Sequence, residues 1–142
     1  MVANTRKQQQ TVTTGFQQYV TDATAAVPGL DAAEAIEKHG EDGVVFVDVR
    51  DAPEQWDTGA IPGSVHASRG MLEFHIDPAS PFAIEAFETG SEFVFVCSLG
   101  ARSALAAQRA AEMGLHPVAS VDGGIDAWKK AGGPVEEAAP RM

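Results

Sequence analysis

A chain of 142 residues, 44% hydrophobic and 21% charged, has the length and composition of one globular domain with a tail. Its 20 acidic residues outnumber 10 basic ones, for a formal net charge of −10, so nucleic acid and membrane are excluded as partners and any anion site must be built locally. One cysteine allows no internal disulfide and no CxxC pair, and with no apolar leader and no run long enough to cross a bilayer, a cytoplasmic location is expected.

Residues 1–14 are polar, with Gln and Thr runs, and are read as a frayed end. Phe16, Tyr19, Val20, Ala23 and Val27 then fall at helical spacing, and the stripe stops at Pro28. A 1–27 extension carrying one amphipathic helix is therefore expected ahead of a domain at 28–137 and a loose tail at 138–142. The rest of the chain is the expected cover for the stripe, and a second copy in a homodimer is the alternative. Asp31 reads as an N-cap with Glu34 at the capping-box position, and Gly40 as the stop. Val44–Arg50 is a near-continuous β-forming run, suited to a strand buried on both faces of a parallel sheet. A short helix with Pro53 in its first turn, a turn at Pro62–Gly63 and a short strand at 65–67 follow. Residues 69–74 and 81–90 read as helical pieces. A second buried strand covers Glu92–Ser98, and the helix after it runs to Met113 and ends at Gly114. Pro117–Val121 is a third strand, 123–133 a last short helix bounded by glycines, and 134–142 is read as loose. Strands alternating with helices indicate an α/β fold whose central sheet is mainly parallel and flanked by helices.

The only cysteine sits where a strand gives way to a helix. In open parallel sheets ligands bind beyond the carboxyl ends of the strands, and Cys97 is expected at that edge. The first amides of the following helix lack intrahelical partners, and Gly100 lets the loop curl so that they form an anion-binding nest. Arg102 adds a permanent positive charge, and together these favour the thiolate. The plainer reading of Cys97 is a small buried apolar residue. The strand–loop–helix setting and the Cys-x4-Arg spacing favour the reactive one.

Three stretches, "VDVRD…EQWDTGAIPGSVHA", "CSLGAR" and "DGGIDAWKKAGGPVE", resemble the single-domain rhodanese-like sulfurtransferases in order and spacing, from Leu30 to Glu136. The resemblance implies a three-layer rhodanese-like fold, with a central parallel sheet flanked by helices. It implies that Cys97 takes a sulfane sulfur from a small donor such as thiosulfate or a persulfide and passes it to cyanide or a thiol, with no cofactor. Ser98, Leu99, Gly100, Ala101 and Ser103 then form the persulfide-binding loop with Arg102, mainly through their amides. Leu99 is expected to line the mouth and to suit a less polar acceptor or a partner protein. Asp48 and Arg50 match the family's "DVR" element, in which the arginine is expected to pair with an acid such as Glu54 as scaffold. The family commonly has His where this chain has Ala60, which puts one scaffold hydrogen bond in question.

Related phosphatases on this fold use a Cys-x5-Arg loop, so the shorter loop here disfavours phosphate. Trp128 is read as core, and Gly123 and Gly124 as meeting a turn requirement. His39, His66, His75 and His116 lack metal-ligand spacing, so no metal is expected. Arg69, and more weakly His66, are candidates to approach the mouth, with a solvated charge as the favoured reading. The functional expectation is a sulfurtransferase working through a Cys97 persulfide; the alternative is a binding or sulfur-sensing module without turnover.

Overall fold

The three apolar runs form the middle of a five-stranded, wholly parallel sheet in the computed structural model, which describes residues 10–140. In chain order the elements are α1 (Phe16–Ala26), β1 (Gly29–Leu30), α2 (Ala32–His39), β2 (Val44–Asp48), α3 (Ala52–Thr58), β3 (Val65–His66), α4 (Leu72–Ile76), β4 (Glu92–Val96), α5 (Ala101–Glu112), β5 (Val118–Val121) and α6 (Gly124–Lys130). The sheet order is β1-β5-β4-β2-β3, with Val44 opposite Glu92 and Asp48 opposite Val96. Parallel strands need crossovers, and helices packed on both faces provide them, which is why the central strands are apolar on both sides.

Alternation along the strands sorts the core into two layers. Val47, Phe93 and Phe95 pack with Leu72 and Ile76 of α4 and Ala106, Ala107 and Ala110 of α5. Phe46, Val94, Val96 and Val121 face the other way, onto Ala35 of α2 and Ile125 and Trp128 of α6. Cys97 continues the Phe93–Phe95 side, so its side chain falls under the start of α5. The small alanines of α5 let that helix lie close to the sheet.

Several sequence expectations need correction: β2 and β4 end at Asp48 and Val96, two residues earlier than read. The two-residue β1 was not anticipated, since its neighbours Pro28 and Asp31 dominate the local signal. β3 ends at His66 rather than Ala67. Within 81–90 only Glu85–Glu88 is helical, as one 3₁₀ turn. The stretch read as loose from Pro134 is pinned at its start: Trp128 Nε1 donates to Pro134 O at 2.8 Å, and Ala60 and Glu136 exchange backbone hydrogen bonds at 2.9 and 2.8 Å. That bridge uses the backbone of Ala60, so the side chain found there in the family is not needed for it.

α1 packs against α5, but the expected stripe is only half used. Ala23 and Val27 are buried, while Phe16 and Tyr19 remain 76% and 57% exposed. Among the described residues, no helix is long and apolar enough to cross a membrane.

At the end of β2 lies a fully buried ion pair. Arg50 Nη2 sits 2.8 Å from Asp48 Oδ2, Nε donates to the same carboxylate, and both residues are 0% exposed. The remaining guanidinium donors reach Thr58 Oγ1 at 2.8 Å and Gly59 O at 2.7 Å, and Gln55 Nε2 donates to Asp48 Oδ2 at 3.0 Å. Every partner outside β2 belongs to α3 or its C-cap, so this cluster fixes α3 against the sheet. Replacing Arg50 with Ala leaves the Asp48 charge buried and unpaired, and should cost about 3–5 kcal/mol of folding stability in urea unfolding. A loss under about 1 kcal/mol would show that the pair does not hold α3.

Candidate active site

The chain turns sharply after β4. Gly100 takes φ +106°, a left-handed conformation that suits glycine, and α5 begins at Ala101. Because Cys97 points under this turn, backbone donors converge on it: Gly100 N–H donates to Sγ at 3.1 Å and Ser103 N–H at 3.3 Å. Both amides aim at the one sulfur atom. Cys97 is 1% exposed and lies 3.5 Å from Ser103 Oγ, to which its S–H donates. Ser103 Oγ in turn donates to Gly100 O at 3.1 Å and lies 2.8 Å from Ser120 Oγ on β5. With its own proton on Gly100 O, Ser103 accepts from Ser120 and from the thiol. Ser120 was not anticipated, since a lone serine in an apolar strand carries no signal of what it faces.

The loop is also held from below. Ile125 N–H donates to Cys97 O at 2.7 Å and Asp126 N–H to Ser98 O at 3.2 Å. This close approach accounts for Gly124. Its φ is +61°, and a Cβ there would fall 2.4 Å from the carbonyl oxygens of both Cys97 and Ser98. The turn requirement expected of Gly123 and Gly124 holds at both, with φ of +74° and +61°, and at Gly124 the loop's close approach adds a second one.

The guanidinium of Arg102 is engaged by Glu54 and Ser98. Its Nη1 and Nη2 grip the Glu54 carboxylate at 2.8 and 2.7 Å, and Nη2 also reaches Ser98 Oγ at 3.3 Å. Ser98 Oγ donates to Glu54 Oε1 at 3.1 Å. The expected pairing of Arg50 with Glu54 is thus corrected: Arg50 takes Asp48, the acid two residues before it, and Glu54 takes Arg102. Glu54 also accepts from Asp51 N–H at 2.9 Å as the N3 member of the α3 capping box, a pattern visible in the sequence that points to its orientation. The Arg102 hydrogen bonds hold its carboxyl down at about 2, and Glu54 in turn raises Arg102 above its ordinary value.

Leu99 projects from the loop, 72% exposed. A groove of about 430 Å³ runs beside the loop between α1 and α5, lined by Phe16, Tyr19, Arg69 and Arg102 among others. Arg69 is thus near the loop, ion-paired with Glu73 at 3.1 Å. His66 is turned away, 2.7 Å from Arg50 O, and His39 and His75 bond Pro62 O and Phe82 O. Among the described residues, no group of three metal-ligating side chains comes together.

This fold has counterparts among known proteins. The chain matches the family model of the rhodanese-like domain over residues 31–131 and belongs to that family. It is 32% identical over 102 residues to the thiosulfate sulfurtransferase GlpE of Pseudoalteromonas translucida, covering 72% of this chain and 89% of that one. A Rhodopseudomonas palustris protein of unknown function, described as a possible tyrosine phosphatase, has a solved structure with a TM-score of 0.87 and 48% identity, covering 90% of this chain and 98% of that one. The polysulfide-sulfur transferase homodimer of Wolinella succinogenes is 28% identical, with a TM-score of 0.66 and coverage of 87% and 88%. The family match begins at Asp31, so α1 lies ahead of it.

The depressed Glu54 carboxyl has a consequence with a definite sign. A folded-state value of about 2 against an ordinary 4.5 means that the ionised group stabilises the fold in full above 4.5 and stops doing so as the pH falls through about 2. The stability difference between wild type and Glu54→Gln should be level from neutral pH to about 4.5 and shrink below it, read from urea midpoints across pH. A difference that vanishes already above about pH 5 would contradict the pairing.

Proposed function

We propose that this chain is a rhodanese-type sulfurtransferase that carries a sulfane sulfur on Cys97. The observation that carries the reading is the convergence of the Gly100 and Ser103 amides on Cys97 Sγ, in a loop closed tightly around one sulfur. With thiosulfate as donor, the Cys97 thiolate attacks the sulfane sulfur, a new S–S bond forms, and the bond to sulfur of the sulfite group breaks. Sulfite leaves with that electron pair, and the negative charge stays on the outer sulfur of Cys97–S–S⁻. Cyanide or a thiolate then attacks this outer sulfur, the S–S bond breaks, and thiocyanate or a new persulfide departs as the Cys97 thiolate is regenerated. The same donors serve the thiolate and the persulfide anion, which is electrostatic preorganisation of the kind that needs no rearrangement during reaction. Arg102 supplies a full positive charge close enough to interact with Cys97, held at the rim by Glu54. The absence of a second cysteine in the sequence requires the acceptor to be external, so the kinetics are double-displacement.

The similarity to the Rhodopseudomonas palustris protein raises phosphatase activity as a second reading. The four-residue spacer and the engagement of both Arg102 Nη groups by Glu54 argue against it, because phosphate needs a wider ring and a free guanidinium. A module that binds or senses sulfur without turnover is the other alternative. It is distinguished by stoichiometric loading with no return.

Intact-mass spectrometry separates these outcomes. Wild type should gain one sulfur from thiosulfate or a low-molecular-weight persulfide and lose it to cyanide as thiocyanate, while Cys97→Ala gains none. Initial-rate plots should be parallel, and aryl phosphates should not be hydrolysed. A wild type that takes sulfur from neither donor overturns the proposal, and hydrolysis of aryl phosphate lost in Cys97→Ala would establish the phosphatase reading instead.

A further inference from the structure

We propose that Glu54 selects the sulfur donor by its charge: it neutralises Arg102 at the mouth of the loop, so that singly charged organic donors are favoured over dianionic thiosulfate. The inference concerns the donor side of the proposed sulfurtransferase and rests on that reading for its substrate.

Arg102 and Glu54 meet as a two-point fork, at 2.8 and 2.7 Å. The second hydrogen-bonding direction of Nη2 is taken up by Ser98 Oγ at 3.3 Å. Ser98 is bound to Glu54 as well, at 3.1 Å, so carboxylate, guanidinium and hydroxyl form a closed triangle on the face of the cysteine loop. Glu54 cannot swing away freely, because its other oxygen accepts from Asp51 N–H at 2.9 Å and α3 itself is fixed by the buried Arg50–Asp48 cluster. Its carboxyl, held at about 2, is ionised at any physiological pH.

The charge around an arriving donor can then be summed. Arg102 contributes one positive charge, Glu54 cancels it, and the Cys97 thiolate is negative. Asp51 is close enough to act on Arg102 as a further negative group. The other two cations lining the groove, Arg69 and Arg109, share Glu73 at 3.1 and 3.3 Å, and Arg109 also lies 3.6 Å from Glu112. Among the described residues that line this groove every arginine is ion-paired, so a donor with two negative charges faces about twice the repulsion of a donor with one. Backbone amides offset charge on the transferred sulfur, which is common to both donors, but not the second charge on the sulfonate oxygens. The chemical class that fits is an organic thiosulfonate or persulfide, R–SO₂–S⁻ or R–S–S⁻. With the thiosulfonate, the Cys97 thiolate forms a bond to the terminal sulfur as the sulfinate R–SO₂⁻ leaves with the electron pair, and charge balances at two on each side. The Arg102 and Glu54 side chains are 39% and 33% exposed, so water screens part of the effect, and about five- to tenfold discrimination is expected.

The test compares ratios, which cancel the different intrinsic reactivities of the reagents. Full-length wild type, Glu54→Gln and Glu54→Asp are assayed with methanethiosulfonate and thiosulfate, and separately alkylated at Cys97 with neutral iodoacetamide and anionic iodoacetate. Gln retains an acceptor for the capping position, and melting curves establish that each variant is folded. Glu54→Gln should raise kcat/KM for thiosulfate relative to methanethiosulfonate by about fivefold or more, mostly through KM, and raise the iodoacetate-to-iodoacetamide rate ratio in the same direction. Glu54→Asp, which keeps the charge, should stay near the wild-type ratios. A structural role alone would slow both reagents of each pair in proportion. Ratios unchanged in Glu54→Gln, or changed equally in Glu54→Asp, overturn the charge selection. Alkylation ratios that move in a protein that never loads sulfur would uphold it while refuting the sulfurtransferase reading. A Cys97 that reacts with none of the four reagents overturns both.

Discussion

The buried pair between Arg50 and Asp48 is the interaction on which the arrangement of this site depends. Burying two charges is costly, and it is tolerated here because every nitrogen of the guanidinium finds a partner in β2, Thr58 or Gly59. Those partners determine where α3 lies. α3 determines where Glu54 points, and Glu54 determines where Arg102 and Ser98 are held. The charge pattern at the mouth of the loop is thus set from inside the domain, by a cluster that never touches a substrate. Two adjacent acid–arginine pairs divide the work: the buried one anchors a helix, and the half-exposed one sets the charge at the mouth of the loop.

The cysteine itself is positioned by a different logic, that of strand parity and backbone approach. Cys97 continues the inward side of Phe93 and Phe95 just beyond the point where β4 stops pairing, which places its sulfur beneath the turn into α5. From above it receives the amides of Gly100 and Ser103, and from below its carbonyl accepts Ile125 N–H across a gap that only glycine at 124 permits. Serines 103 and 120, both buried, add a hydroxyl chain that ends at the thiol. Little in this arrangement depends on large side chains, which is consistent with a loop reading Ser-Leu-Gly-Ala-Arg-Ser.

How much of this was readable from the residues follows from the range of each interaction. The central strands and the Cys97 turn are local patterns: unbroken β-branched and aromatic runs, a glycine after a cysteine, an alanine-rich helix. All of these appear where expected. Choices between distant partners are not local, and they account for the principal error. Glu54 lies four residues from Arg50 and 48 from Arg102 in sequence, and spacing favours the nearer arginine; yet Arg50 is saturated by Asp48, and the capping box turns Glu54 outward toward α5. The short β1 carried too few residues for a periodic signal, and the pinning of Glu136 by Ala60 involves only backbone, which no side-chain pattern announces. Phe16 and Tyr19 illustrate the opposite case: a clear amphipathic stripe whose first half the fold leaves exposed beside the loop.

The central claim is that the amides of the Cys97 loop hold negative charge on a sulfur carried by that residue. It is tested most directly by comparing amide chemical shifts of ¹⁵N-labelled protein before and after sulfur loading, with the extent of loading followed by mass. The account predicts that the Gly100 and Ser103 amide protons move furthest of all backbone signals, and return when cyanide removes the sulfur. A fully loaded protein in which those two signals stay in place, or move no further than those of distant strands, would contradict it.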